Sequence, residues 1–214
     1  MKDVCEHLAA ERVTRGTLYI ALQNAATFIL GLVFYVFAAR LLTKVDIGLI
    51  SVLMFIMTLF TSVSVLSIPD ASVKYISEHL GRGESDKAAS VAATTWHMVL
   101  IGSLLMLAVT CVLSVLLVEV GWKGFPLPAL IVALFAAFLI NFQGTYAAFL
   151  QGLQMFGRLA WVYIIYGLIS CVAGVGLVAL GYGLSGVALA YLLGASISVL
   201  VAAWFYYGKL PRAS

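Results

Sequence analysis

Long apolar stretches dominate this chain and are separated by short polar ones. Five runs contain no Asp, Glu, Lys or Arg, at residues 16–39, 47–69, 88–118, 124–157 and 159–208. A helix of about 20 apolar residues crosses a hydrocarbon core of about 30 Å, so every run is long enough to span a bilayer. The last run is too long for one crossing, and its middle, Gly181 to Gly186, holds three glycines suited to a turn. The pattern therefore predicts six transmembrane helices.

The predicted architecture is an all-α integral membrane protein, a bundle of six transmembrane helices. Trimming the runs to the thickness of a bilayer gives a transmembrane lobe at 16–208, between a cytoplasmic segment at 1–15 and a cytoplasmic tail at 209–214. All four prolines lie near the ends of runs, where a missing N–H group costs least. The approximate spans are 17–39, 47–69, 95–118, 128–150, 159–180 and 186–207.

Composition excludes several classes of protein. Hydrophobic residues make up 64% of the chain and charged residues 10%, whereas soluble domains carry about 25% charged residues. The net charge of +3 is small and scattered, so no nucleic acid partner is expected. The three cysteines lie far apart, which predicts neither a metal site nor a cofactor. The motifs HExxH and GxSxG are missing, as are paired carboxylates, so we expect a protein that is not an enzyme.

The distribution of Lys and Arg predicts how the chain is oriented. Nine of the 12 basic residues lie in the N-terminal segment, the connections between spans two and three and between spans four and five, and the tail. The other connections hold three. Because basic residues favour the cytoplasmic side, both termini are expected in the cytoplasm of a multi-pass protein of the cell membrane.

The one sizeable polar connection runs from Asp70 to Lys87. Apolar residues recur there at positions 73, 76 and 80, which predicts a short amphipathic helix that Asp70 caps and Gly81 ends. We expect this hairpin to lie solvated at the cytoplasmic membrane surface. The spans themselves are then predicted to hold no Asp, Glu, Lys or Arg at mid-depth, so no buried ionisable group marks ion coupling.

Polar side chains within or beside the spans allow two interpretations each. Gln23 and Asn24 lie in the first span, and Asn141 and Gln143 lie in the fourth. These amides could join neighbouring helices by hydrogen bonds, or they could line a polar cavity. Arg40 at the end of the first span could anchor it in the headgroup region, or its guanidinium could face an anionic phosphate at the mouth of a cavity.

Small residues form a stripe along the sixth span at intervals of four. Such a stripe lets another helix approach closely, which favours packing between membrane helices. The partner could be a helix of the same chain, a second copy, or another lobe. The stripe consists of Gly186, Ala190, Gly194, Ser198 and Ala202.

Three segments resemble motifs of a known family. Phe37 to Ile50, FAARLLTKVDIGLI, is similar to the A-R-L-L-G-P-x-x-F-G junction of polysaccharide-biosynthesis flippases, although Thr43-Lys44 replaces the Gly-Pro. Residues 149–158, FLQGLQMFGR, resemble the family's LQGxxRF connection, and residues 183–188 resemble its G-L-x-G-A turn. These flippases belong to the multidrug/oligosaccharidyl-lipid/polysaccharide exporter superfamily. The resemblance covers about residues 13–207.

The resemblance implies a fold and a function. Family members are about twice this length and consist of two six-helix lobes around a central cavity, and this chain resembles the N-terminal lobe. The implied function is to flip an isoprenoid-linked oligosaccharide between leaflets by alternating access, with a second lobe or a second copy of the chain as partner. Cationic and amide groups would bind the sugar-pyrophosphate head group. The implied binding residues are Arg40, Lys74, Asn24, Asn141 and Gln143.

Two other functions remain compatible with the sequence. One is a small six-helix transporter or channel that acts as a homodimer. The other is a membrane scaffold without transport activity, produced from a truncated or split gene.

Overall fold

The computed structural model describes residues 2–120 and 126–208, and these residues form seven helices without a strand. Six helices contain a stretch long and apolar enough to cross a membrane, at Gly16–Leu41, Lys44–Val65, Ser85–Leu116, Leu127–Gly152, Phe156–Ala179 and Gly183–Tyr207. The predicted all-α, six-span architecture is thereby confirmed, and the chain is a multi-pass membrane protein. The helices are α1 Lys2–Leu41, α2 Lys44–Val65, α3 Ile68–Gly81, α4 Ser85–Val120, α5 Leu127–Gly152, α6 Phe156–Ala179 and α7 Gly183–Tyr207.

The helix ends differ from the expected spans in a few places. α1 is continuous from Lys2 and does not start at the apolar run. α6 and α7 begin three residues before the expected 159 and 186. The turn between them is short because Gly181 and Gly183 adopt positive φ, at 88° and 50°, which glycine tolerates without a steric cost. The third span is part of a longer helix, α4, that starts at Ser85.

Helices α5 and α7 lie at the centre of the bundle. α7 packs along both α5 and α6, while α1 packs on α6 at one side. At the other side, α2 and α4 pack on α5 and on each other. Consecutive helices α1 and α2 make few contacts with each other, so the space between them opens as a groove whose floor is α5 and α6.

The small-residue stripe of α7 packs within the chain. All five of its residues are buried. A Cβ at Gly194 would lie 3.1 Å from the carbonyl oxygen of Tyr166 in α6 and would contact Ser170 Oγ. A Cβ at Gly186 would lie 3.0 Å from Cβ of Leu177. The absence of side chains at these glycines is what lets the α6 and α7 backbones approach each other.

Helix α3 continues in the direction of the second span and packs on α4 and α5. The expected position of this segment at the membrane surface stays a prediction. Ser64 of α2 contacts Asn141 of α5, and twelve residues later Ile76 of α3 meets Gly152, eleven residues after Asn141. α2, α3 and α5 therefore run in the same direction. α3 buries one face against α4 and α5, while Asp70 and Lys74 on its other face stay exposed.

The break between α2 and α3 consists of two residues in the left-handed region. Leu66 has φ 44° and Ser67 has φ 58°. Ser67 occupies the N-cap position of α3 without a side-chain cap bond, and Asp70 lies inside the first turn. Asp70 therefore does not cap the helix as predicted, whereas the predicted end at Gly81 is confirmed.

Each end of the bundle is defined by its loops. The end whose connections hold most of the Lys and Arg residues, which we call the basic end, carries the α3–α4 loop at 82–84 and the α5–α6 loop at 153–155. Gly16 of α1 packs there against Phe156. The opposite end carries the α1–α2 loop and the α6–α7 turn. At that end Thr43 and Asp46 form a capping box that starts α2, with a Thr43 Oγ1 to Asp46 N distance of 3.2 Å.

Candidate functional site

Three adjoining cavities form a polar groove between α1 and the α2–α3 segment. The α1 cavity, of 470 Å³, is lined by α1, α6 and α7 and includes Asn24, Thr27, Tyr166 and Tyr191. The α2 cavity, of 380 Å³, includes Thr61, Ser62 and Asn141. The junction cavity, of 170 Å³, lies between them and includes Gln151. We refer to the three together as the groove.

A few residues join the three cavities. Tyr163 of α6 lines all of them. Gln23 lines the α1 and junction cavities, whereas Asp70 and Gly144 line the α2 and junction cavities. The centre of the groove is therefore built by four helices that are distant in sequence.

The centre of the groove lies inside the bundle, at a distance from the loops of the basic end. Gln23 follows Gly16 by seven residues, and Tyr163 follows Phe156 by seven residues, while Gly16 and Phe156 touch at the basic end. With a rise of 1.5 Å per residue, both side chains start about 10 Å inward from that contact. Asp70 lines the same junction cavity, so its carboxylate is at a similar height.

Asp70 brings a charged side chain to the groove, although it lies outside the six candidate spans. The polar connection was expected to leave the bundle where the apolar run ends. Instead, α3 descends along α5 and carries Asp70 into the groove. Among the described residues that line the three cavities, Asp70 is the only one with a charged side chain.

The structure brings Asn24 and Asn141 to the groove. Asn24 lines the α1 cavity with an exposed side chain. Asn141 is buried at the edge of the α2 cavity, where its Nδ2 donates hydrogen bonds to Ser64 Oγ at 2.6 Å and to Ser103 Oγ at 2.9 Å. Asn141 thereby joins α5 to both α2 and α4, and it also lines the α2 cavity.

The other three residues implied by the resemblance lie outside the three cavities. Arg40 is exposed in the last turn of α1 at the opposite end. Lys74 is exposed on α3, one turn beyond Asp70 toward the basic end. Gln143 is 2% exposed in α5, and its Oε1 has no hydrogen-bond partner.

Two central groove residues, Tyr163 and Asp70, were not selected from the sequence. Tyr163, Tyr166 and Ser170 recur at intervals of three and four residues, so a polar stripe on α6 was a signal that could have found Tyr163. Nothing in the sequence placed Asp70 at the same height, because that depends on the direction of α3.

The basic end holds a cluster of ionic contacts outside the spans. Glu84 accepts hydrogen bonds from Lys87 Nζ at 2.7 Å, and its other oxygen lies 2.8 Å from His79 Nδ1. The hydrogen bond from Lys87 has the larger effect, and together with the His79 contact it lowers the pKa of the Glu84 carboxyl below its usual value of 4.5. Arg82 pairs with Glu78 at 2.6 Å. The cluster orders the α3–α4 loop and is separate from the groove.

Several solved structures share this fold. A MOP superfamily transporter from Pyrococcus furiosus Vc1 superposes with a TM-score of 0.79 at 18% identity, covering 92% of this chain and 45% of that one. A mutant MATE protein gives 0.81 at 18% identity, covering 95% and 46%. An outward-facing multidrug resistance MATE family transporter of the MOP superfamily gives 0.76 at 19% identity, covering 92% and 45%.

These similarities show the fold, and they also show that the chain spans less than half the length of the solved transporters it resembles. No curated protein matches the sequence significantly. The family-level match is nearly complete, since residues 13–213 fit the family described as polysaccharide biosynthesis protein. On that match, the chain belongs to the polysaccharide biosynthesis protein family.

Proposed function

We propose that this chain is one lobe of a membrane transporter that moves a lipid-linked oligosaccharide between leaflets by alternating access. The observation that carries the proposal is the groove, a set of polar side chains about 10 Å inside an otherwise apolar bundle. Membership in the polysaccharide biosynthesis family and the MOP transporter fold support the same function. The chain itself is proposed to catalyse no chemical reaction.

The groove suits a sugar head group because such a group cannot enter lipid without polar partners. Unpaired hydroxyl groups in an apolar medium cost roughly 2–7 kcal/mol each. The α1 cavity of 470 Å³ lies within the range of about 300–1,000 Å³ typical of small-ligand pockets. The isoprenoid tail would remain in the bilayer while the groove shields the head group.

Alternating access requires a second bundle. Rocking transport moves two bundles against each other around a shared site, and this chain supplies six spans. α1 packs mainly on α6 and leaves large apolar side chains exposed, among them Leu22, Phe28 and Ile29. We propose that a second lobe or a second copy of the chain closes the groove from this side.

We propose that the Lys74 ammonium binds the phosphate groups of the ligand. Lys74 lies one turn from Asp70 toward the basic end, about 6 Å away along the helix surface. Its ammonium would meet the pyrophosphate where the head group joins the lipid. From the basic asymmetry of the loops, we propose that this end and both termini lie on the cytoplasmic side of the cell membrane.

Reconstitution tests the transport function. The protein is placed in liposomes whose outer leaflet carries a fluorescent undecaprenyl-pyrophosphate oligosaccharide, and a membrane-impermeant quencher reports the label that has moved inward. Asn24→Leu is expected to slow translocation about 5-fold, since a hydrogen bond contributes about 1 kcal/mol. Leu105→Val in α4 is the control, because Leu105 is 69% exposed, lines none of the three cavities and lies on the side of the bundle away from α1.

The outcomes separate the alternatives. Equal rates for the two variants, or no translocation by any assembly of the chain, would contradict the proposal. Native mass spectrometry from membranes is expected to show a dimer or a complex with another six-span protein. Translocation by a single copy per liposome would contradict the requirement for a second bundle.

A further inference from the structure

We propose that Asp70 and Gln23 form a subsite for the hydroxyl groups of a sugar ring, and that the phosphate groups bind elsewhere. The proposal rests on the proposed function and specifies which part of a lipid-linked oligosaccharide this groove takes. It also divides the head group between two places in the fold, the junction cavity and the rim at the basic end.

The junction cavity offers hydrogen-bond acceptors. Asp70 is exposed and lines the cavity, where its carboxylate oxygens can accept hydrogen bonds. Gln23 is 9% exposed and lines the same cavity, and its Oε1 has no hydrogen-bond partner. A buried acceptor without a donor is costly, so this cavity favours a ligand that donates hydrogen bonds.

The two halves of the head group differ in how they would interact with these acceptors. A pyrophosphate at neutral pH carries negative charge and offers mainly acceptors, so the Asp70 carboxylate repels it. Sugar hydroxyl groups are neutral and donate, and a hydrogen bond to an ionised acceptor is about twice as strong as a neutral one. Because no Lys or Arg is among the described residues lining the three cavities, nothing in the groove reverses this preference.

Aromatic side chains form a wall of the groove beside these acceptors. Tyr163 lines every cavity of the groove, and Tyr166 and Tyr191 line the α1 cavity with ring centroids 6.4 Å apart. Aromatic rings provide apolar faces for the C–H groups of a sugar ring and hydroxyl groups at their edges. The wall and the acceptors therefore match the two faces of a sugar ring.

The geometry also fixes the direction of the head group. Asp70 lies inside the groove, and Lys74 lies one turn nearer the basic end on the same helix. The sugar would point into the bundle, while the pyrophosphate would stay at the rim near the Lys74 ammonium.

Ligand binding to the full chain in lipid nanodiscs tests the subsite. Saturation-transfer NMR measures the affinity for glucose, galactose and N-acetylglucosamine, and phosphorus NMR measures binding of inorganic pyrophosphate. Asp70→Asn keeps the shape of the side chain and is expected to weaken binding of at least one sugar about 10-fold without weakening pyrophosphate. Gln23→Met should weaken the same sugar. Asp86→Asn removes an exposed carboxylate from the first turn of α4 and should change neither affinity.

Several results would overturn the subsite. They are the absence of binding for all three sugars, sugar binding that Asp70→Asn leaves unchanged, and pyrophosphate binding that requires Asp70. Sodium-dependent line broadening that disappears in Asp70→Asn, with no effect on sugars, would assign the carboxylate to a cation instead.

Failure of the subsite and failure of the proposed function are distinguishable. If the wild-type protein translocates the lipid-linked oligosaccharide but Asp70→Asn binds sugars as tightly as the wild type, only the subsite is refuted. Sugar binding that depends on Asp70, in a protein that translocates no lipid-linked oligosaccharide in any assembly, refutes the transport function alone.

Discussion

Replacing Gly194 by alanine should destabilise the bundle, although alanine is the better helix former. At an open helical position, Gly to Ala stabilises by about 0.5–1 kcal/mol. At Gly194 the added Cβ would contact Ser170 Oγ and would lie 3.1 Å from the carbonyl oxygen of Tyr166. The hydroxyl can rotate away, but the carbonyl belongs to the α6 backbone, so the two helices would have to separate.

The size of the effect follows from overpacking. Inserting a methyl group into a close-packed contact costs about 1–3 kcal/mol. For a chain of this length, 1 kcal/mol shifts Tm by about 2–4 °C, so Gly194→Ala is expected to lower Tm by about 2–12 °C. Gly176→Ala in α6 is the matched control, because a Cβ there has no atom within 4 Å. Its Tm should stay equal to that of the wild type or rise.

Thermal unfolding in one detergent, followed by tryptophan fluorescence, measures both variants. If Gly194→Ala unfolds at the same temperature as Gly176→Ala or above it, the close α6–α7 contact does not exist as described. Gly194→Leu compared with Leu193→Ile extends the test, because Leu193 is 46% exposed and points away from this contact.

Three further outcomes are expected. Asn141→Ala removes two buried interhelical hydrogen bonds and should lower the free energy of unfolding in detergent by about 1–3 kcal/mol. Asn24→Ala in the open groove should leave the free energy of unfolding unchanged, and equal losses for the two variants would contradict this. The Glu84 carboxyl should titrate below pH 4.5 when followed by carbon-13 NMR, and a midpoint at or above 4.5 would contradict this. Because its pKa is lowered in the folded protein, the carboxyl stabilises the loop at pH values above its unfolded-state pKa. This stabilisation is lost as the pH falls through the lowered pKa. Reporter fusions at Lys123 and at Ser85 should report opposite sides of the membrane, and the same side for both would refute the topology.

Several features of the fold follow from local sequence. A membrane span is a helix because its backbone groups find no partners in lipid, and its length is set by the bilayer, so apolar runs predicted the six spans. Glycines in the last run predicted the α6–α7 turn, and Gly81 predicted the end of α3. The stripe on α7 predicted a close helix contact, although the sequence left its partner open.

The sequence was less informative about the groove. It identified Asn24 and Asn141 as polar groups within spans, and both lie at the groove. It could not distinguish an amide that joins helices from one that lines a cavity. For Asn141 that distinction depends on Ser64 and Ser103, which lie 77 and 38 residues away along the chain.

Only the tertiary structure decided where the charged and aromatic groups meet. The apolar pattern of α3 shows which face is buried but not what it packs against, and the structure shows that these partners are α4 and α5. Leu66 and Ser67 form the break between α2 and α3 with left-handed backbone angles. Because neither residue is a glycine, the sequence does not indicate this break. The sequence thus determined the number, length and apolar faces of the helices, because those depend on neighbours in the chain. The tertiary structure decided that Asp70, Gln23 and Tyr163 share one groove, because that depends on contacts between distant helices.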